Sequence, residues 1–119
     1  PTHRPRPVLA LFEGGICGAQ VLDLATRAAQ INHQPLEVLV PARAGGASER
    51  AMGEVSRGLA GAEVTATVRR LPVSEKALLD ALASARGQAL FLDAAGAAAG
   101  RLAALRAAAK CDLLLVSRR

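Results

Sequence analysis

Three stretches of this chain are continuously apolar yet too short for ordinary helices, Val8 to Phe12, Ala89 to Leu92 and Leu113 to Val116, and a fourth, Leu36 to Val40, is apolar apart from Glu37. A strand alternates when one of its faces is wet. A run without polar residues is buried on both faces, as in a parallel strand covered by helices. Longer Ala- and Leu-rich segments with helical spacing separate these runs. That alternation admits few architectures. It predicts an α/β domain: a doubly wound, Rossmann-like parallel sheet of five strands with right-handed crossovers and helices on both faces.

In the first helical segment, Ile16 to Ile31, spacing puts Val21, Leu24, Ala25, Ala28 and Ile31 on one face. Asn32-His33-Gln34-Pro35 ends it, because proline disfavours helix in the residue before it. Pro41 stops the second strand, and Ala42 to Ala47 is a loop with a Gly45-Gly46 hinge. Ser48 is placed to cap a second helix with Met52, Val55 and Leu59 inward, stopped at Gly61. Glu63 to Arg69 differs from the other strands, since Val64, Ala66 and Val68 alternate with Thr65, Thr67 and Arg69. One wet face places it at an edge. A third helix opens at Ser74 and ends at Gly87, and a fourth covers about Ala98 to Lys110 with Leu102, Leu105 and Ala109 inward. The final strand runs from Asp112 to Ser117. Residues 1–7 read as a flanking linker and 8–119 as one domain, a usual size for a single core.

Composition removes several functions. The chain has two Phe and neither Trp nor Tyr, so base-stacking platforms and aromatic ligand cages are excluded. Its net charge is +5, but Arg27, Arg43, Arg50, Arg57, Arg86, Arg101 and Arg106 are scattered one per turn or loop. Scattered cations read as solvated faces and not as a nucleic-acid surface. No apolar run approaches the roughly 18 residues of a membrane span. Two cysteines without a secretory signal point to a reducing cytoplasm. The start without Met and the basic ends (His3, Arg4 and Arg6; Arg118 and Arg119) fit a piece of a longer protein, such as the cytoplasmic side of a membrane protein. A trimmed whole protein explains that start equally.

In doubly wound sheets ligands sit outside the carboxyl ends of the strands, where the strand order reverses. Three loops qualify: Glu13 to Gly18, Pro41 to Gly46 and Asp93 to Gly100. The first departs from a dinucleotide fingerprint at Glu13, whose charge would face a pyrophosphate. Cys17 stands near a helix start, where a thiol pKa falls and a phosphocarrier nucleophile is conceivable. The arginine that a cysteine-phosphatase loop needs six positions on is here Asp23, and a small core cysteine is the plainer reading. Cys111 begins the last strand and Cys17 follows the first, which puts them at opposite ends of the sheet and argues against a disulfide. His3 and His33 lack neighbours at metal-ligand spacing and read as surface residues. Asp93 is the best-placed acid, able to hold a ligand or to cap its own turn. No metal site and no catalytic set emerges.

Over nearly its whole length the chain resembles the universal stress protein superfamily. Leu11-Phe12-Glu13-Gly14-Gly15 stands where that family has Pro-x-Asp-Gly-Ser, and Val21-Leu22-Asp23-Leu24-Ala25 lies in the following helix. At the other end, Cys111-Asp112-Leu113-Leu114-Leu115-Val116-Ser117-Arg118 matches a short break and a closing apolar strand. The resemblance implies the strand order 3-2-1-4-5 and a ligand site formed by Glu13, Gly14, Gly15, Val40, Asp93, Gly96 and Gly100. ATP-binding relatives carry Gly-x2-Gly-x9-Gly-Ser/Thr after the fourth strand. Here Asp93 replaces the first glycine, the loop is shortened, and Ala99-Gly100 supplies no hydroxyl. A carboxylate there repels phosphate. The expectation is a regulatory or interaction domain without a cofactor, its ATP or AMP pocket degraded. A sensor that still uses the cleft for an adenine nucleotide and the Cys17 phosphocarrier are the alternatives. In the implied order the last strand is an edge, and Leu113, Leu114, Leu115 and Val116 carry none of the charges or prolines that protect edges. Such an edge predicts a homodimer centred on Leu114, as the resemblance also implies.

Overall fold

The computed structural model describes residues 6–12, 15–41, 47–71, 76, 79–80, 89–93, 107 and 112–116. Its elements are β1 (Val8–Leu11), α1 (Gly15–Ile31), β2 (Leu36–Pro41), α2 (Ala47–Leu59), β3 (Ala66–Leu71), β4 (Ala89–Asp93) and β5 (Asp112–Val116). All strand pairs are parallel, in the order β3-β2-β1-β4-β5. This is the expected five-stranded, doubly wound sheet.

Paired residues of parallel strands point to the same face, so the register divides the core in two. On the face under α1 and α2, Val8, Ala10, Phe12, Val38 and Val40 pack with Val21, Ala25 and Val55. On the opposite face Leu9, Leu11, Leu39, Leu90 and Leu92 are each no more than 1% exposed. Both faces are therefore covered, which is why these strands show no alternation. Each such leucine removes about 1.5–3 kcal/mol of apolar surface energy from water. The predicted third and fourth helices lie outside the described residues, apart from helical backbone at Lys76, Leu79, Asp80 and Ala107.

Three local expectations are corrected. On α1 the buried stripe is Val21, Leu22, Ala25, Thr26 and Ala29, while Leu24 is 42% and Ile31 76% exposed. The stripe is rotated because α1 packs against β1 and α2 together, and Leu22 turns toward α2. A Cβ added at Gly58 would stand 2.7 Å from Leu22 Cδ2, so the glycine is what lets the two helices approach. The third strand begins at Ala66 and not at Glu63, because β2 sets its register: Leu36 pairs with Ala66 and Pro41 with Leu71. Ala66, Thr67, Arg69 and Arg70 are all exposed, so this strand is wet on both faces and anchored by buried Leu71. Its place at an edge is as expected. The second helix opens at Ala47, one residue ahead of Ser48, and buries Val55, with Met52 and Leu59 partly buried.

The end of α1 shows how the chain turns into β2. The Gln34 N–H donates to the Ala29 carbonyl at 2.9 Å and the His33 N–H to the Gln30 carbonyl at 3.3 Å. His33 has φ 53°, the left-handed conformation such a cap requires and glycine usually supplies. Pro35 then accepts the Val8 N–H at 2.8 Å, which starts the β1–β2 ladder.

Candidate functional site

The strand order reverses between β1, which continues through α1 to β2, and β4, which lies on its other side. At the carboxyl edge the Phe12 N–H donates to the Leu39 carbonyl at 2.9 Å. Continuing the strand registers by one residue places Arg70, Val40, Phe12, Asp93 and Val116 in one row across the sheet. Phe12 and Val40 are each 1% exposed, so this row is closed from the helix side. A Cβ added at Gly18 would lie 3.2 Å from Phe12 Cε2, which shows how closely α1 descends onto the end of β1.

Three of the predicted ligand residues thus come together at one edge. Val40 is the last residue but one of β2, Asp93 is the last residue of β4, and Gly15 is the first of α1. With its side chain in the core, Val40 can offer a ligand only main-chain atoms. Glu13, Gly14, Gly96 and Gly100 lie outside the described residues. Cys17 is the third residue of α1, in its first turn, and Cys111 lies outside the described residues. His33 is an exposed residue of the turn after α1, at the opposite end of the sheet from this edge.

One charged contact braces the edge. Arg70 Nη2 donates to Glu49 Oε1 at 3.1 Å, joining the end of β3 to the first turn of α2. Glu49 is held below its ordinary carboxyl value by its own backbone amide first and by the Arg70 guanidinium second. Sequence reasoning missed this pair, because the two residues are 21 apart and only the β2–β3 register brings them together. It also missed a cavity of about 500 Å³ between α1 and α2, lined by Phe12, Leu22, Thr26, Asp23, Glu54 and Arg57 among others. The Thr26 hydroxyl donates to the Leu22 carbonyl at 2.7 Å, so its polar group is used within the helix. Among the described residues no group of three metal-ligating side chains forms. No described helix is long and apolar enough to cross a membrane.

No family model matches the chain, and no curated protein matches its sequence. Solved structures do match its fold. A universal stress protein in complex with cAMP is 18% identical, with TM-score 0.73 over 97% of this chain and 98% of that one. A protein of the universal stress protein family from Burkholderia pseudomallei is 17% identical, with TM-score 0.69 over 92% and 95%. A universal stress protein from Archaeoglobus fulgidus is 12% identical, with TM-score 0.73 over 92% of each chain. The chain has the universal stress protein fold.

Proposed function

We propose that this chain, carrying the universal stress protein fold, is a cytoplasmic regulatory or interaction domain and not an enzyme, and that it works as a homodimer. Residues 8–119 form the single domain, with residues 1–7 a linker. The observation that carries the reading is the state of the β5 edge within this fold. Leu114 is 42% and Leu115 46% exposed on an edge strand whose five residues Asp112–Val116 hold a single charge at one end. An apolar edge of that kind aggregates or pairs, and a two-fold axis pairs it in one closed contact. Centred on Leu114, the contact sets Leu113 against the partner's Leu115 and Asp112 against the partner's Val116.

The nucleotide pocket is degraded in this reading. Support comes from the sequence, which has a carboxylate at Glu13, two residues past the end of β1, and at Asp93, the last residue of β4, and Gly96 and Gly100 in a shortened stretch without a hydroxyl. ATP with Mg²⁺ at millimolar concentration should leave the melting temperature unchanged. A site saturated a hundredfold above its dissociation constant would add about 2.7 kcal/mol, a readily measured shift. A clear rise with ATP overturns the degraded pocket. The cAMP-bound neighbour favours one second reading, an adenine-nucleotide sensor with few phosphate contacts. A rise with cAMP or AMP but not ATP selects it.

A further inference from the structure

The cavity between α1 and α2 is separate from the carboxyl-edge site, since neither Val40 nor Asp93 lines it. Its volume of about 500 Å³ falls in the range of small-molecule sites. Phe12 and Leu22, 1% and 5% exposed, give it an apolar lining. Thr26 is 8% exposed, and its hydroxyl proton is committed to the Leu22 carbonyl at 2.7 Å. That hydroxyl can therefore only accept from a bound molecule. Three charged side chains also line the cavity: Asp23, Glu54 and Arg57. Asp23 is already held by Arg27 at 3.3 Å. Glu54 and Arg57 are three residues apart on α2, yet no ion pair joins them to each other or to another described residue. The Arg57 guanidinium lies back along α2, with Nη1 3.7 Å from where a Cβ on Gly53 would stand.

We propose that this cavity binds a small zwitterion with an apolar body, a dipeptide with aliphatic side chains. Charge decides the class. A carboxylic acid would meet Arg57 but face Glu54, and an amine would meet Glu54 but face Arg57. Each leaves a like charge close by, whereas a zwitterion satisfies both. Spacing decides the length. Residues three apart on a helix have Cβ atoms about 5–6 Å apart. The ends of an extended dipeptide lie at most about 7 Å apart, a comparable span. A single amino acid carries both charges on one carbon, too close together for two groups that do not themselves pair. The dipeptide ammonium goes to the Glu54 carboxylate, its carboxylate goes to the Arg57 guanidinium, and its side chains cover Leu22 and Phe12. The inference goes beyond the regulatory reading above and stands whether or not the chain dimerises.

Titration calorimetry and thermal melting on the whole chain test this with three probes: leucyl-leucine, its N-acetyl form, which is only an anion, and its amide, which is only a cation. Leucyl-leucine should saturate at millimolar concentration. Each capped form should bind about threefold more weakly or worse, the effect an exposed ion pair gives. Arg57→Gln should weaken leucyl-leucine by a similar factor, and Glu54→Gln should narrow the gap between leucyl-leucine and its N-acetyl form. Arg50→Gln removes the same charge from an exposed position of α2 outside the cavity and should change nothing. Ala19→Leu adds bulk to the cavity wall and should weaken leucyl-leucine as well. Circular dichroism should show all four variants folded, since each replaces an exposed residue. No saturable heat and no rise in melting temperature with leucyl-leucine overturns the inference. Equal binding of the three probes does so too, because the groove would then be indifferent to charge. Binding that Ala19→Leu leaves unmoved places the dipeptide elsewhere and overturns it equally.

Discussion

The two edges of this sheet are built from opposite materials. β3 exposes Ala66, Thr67, Arg69 and Arg70 and is held by one buried leucine, with Arg69 reaching Glu37 at 3.5 Å and Arg70 reaching Glu49 at 3.1 Å. β5 is Asp-Leu-Leu-Leu-Val, with Val116 buried and Leu114 and Leu115 each more than two-fifths exposed. Cations on an edge strand repel an incoming copy, whereas bare leucine invites one. The contrast teaches that one edge of the sheet is protected within the chain, whereas the other is left bare, which is what the proposed dimer would use.

The largest effect should come from proline at the adhesive edge. Leu114→Pro removes a backbone donor and is expected to leave monomer or misfolded chain, read by light scattering together with circular dichroism. A folded variant that associates like the parent would erase the distinction between the edges. Next is the anchor of the protected edge. Leu71→Ala, at a site 4% exposed, should lower unfolding stability by about 2–4 kcal/mol in urea without changing the association of folded chains. A loss of association there would mean that both edges serve assembly.

Glu49→Gln should have a smaller, pH-dependent effect. The Glu49 carboxyl is lowered in the folded chain, so its stabilisation is complete above its unfolded value of about 4.5 and is lost as pH falls through the lowered folded value. Melting temperatures of parent and variant should therefore differ at pH 7 and converge on acidification below 4.5. A gap that persists at low pH would assign the effect to shape and not charge. Smallest of all, Thr67→Lys on exposed β3 should change stability by no more than about 0.5 kcal/mol and leave association unaltered.

The same contrast explains what could be read from the residues alone. Val8 to Phe12, Leu36 to Val40 and Ala89 to Leu92 announce themselves, because a strand buried on both faces has one composition. The β3 boundary was misplaced by three residues at its start, since Val64 is partly buried ahead of the ladder and imitates an inward strand position. Leucine at position 24 drew the α1 stripe to the wrong side. Helical spacing alone cannot weigh a leucine left exposed against an alanine facing a sheet, and Ala25 and Ala29 are the ones buried. Of the site, position was legible and contact was not. The carboxyl-edge rule brings Gly15, Val40 and Asp93 to one place, but the burial of Val40 and the Arg70–Glu49 brace depend on registers between distant residues.

The reversal of strand order between β1 and β4 also sets a sequence of events in time. β1, β2 and β3 pair as neighbours along the chain, so residues 8–71 can assemble three of the five strands as soon as they exist. β1 is buried on both faces only when β4 arrives, and Val8 meets Ala89 some eighty residues later. That closure carries the largest loop entropy in the molecule and leaves Leu9 and Leu11 uncovered beside an open strand until it is made. The seam at which the strand order reverses is thus the pairing expected to close last, and a chain halted before residue 89 carries an unfinished edge at β1.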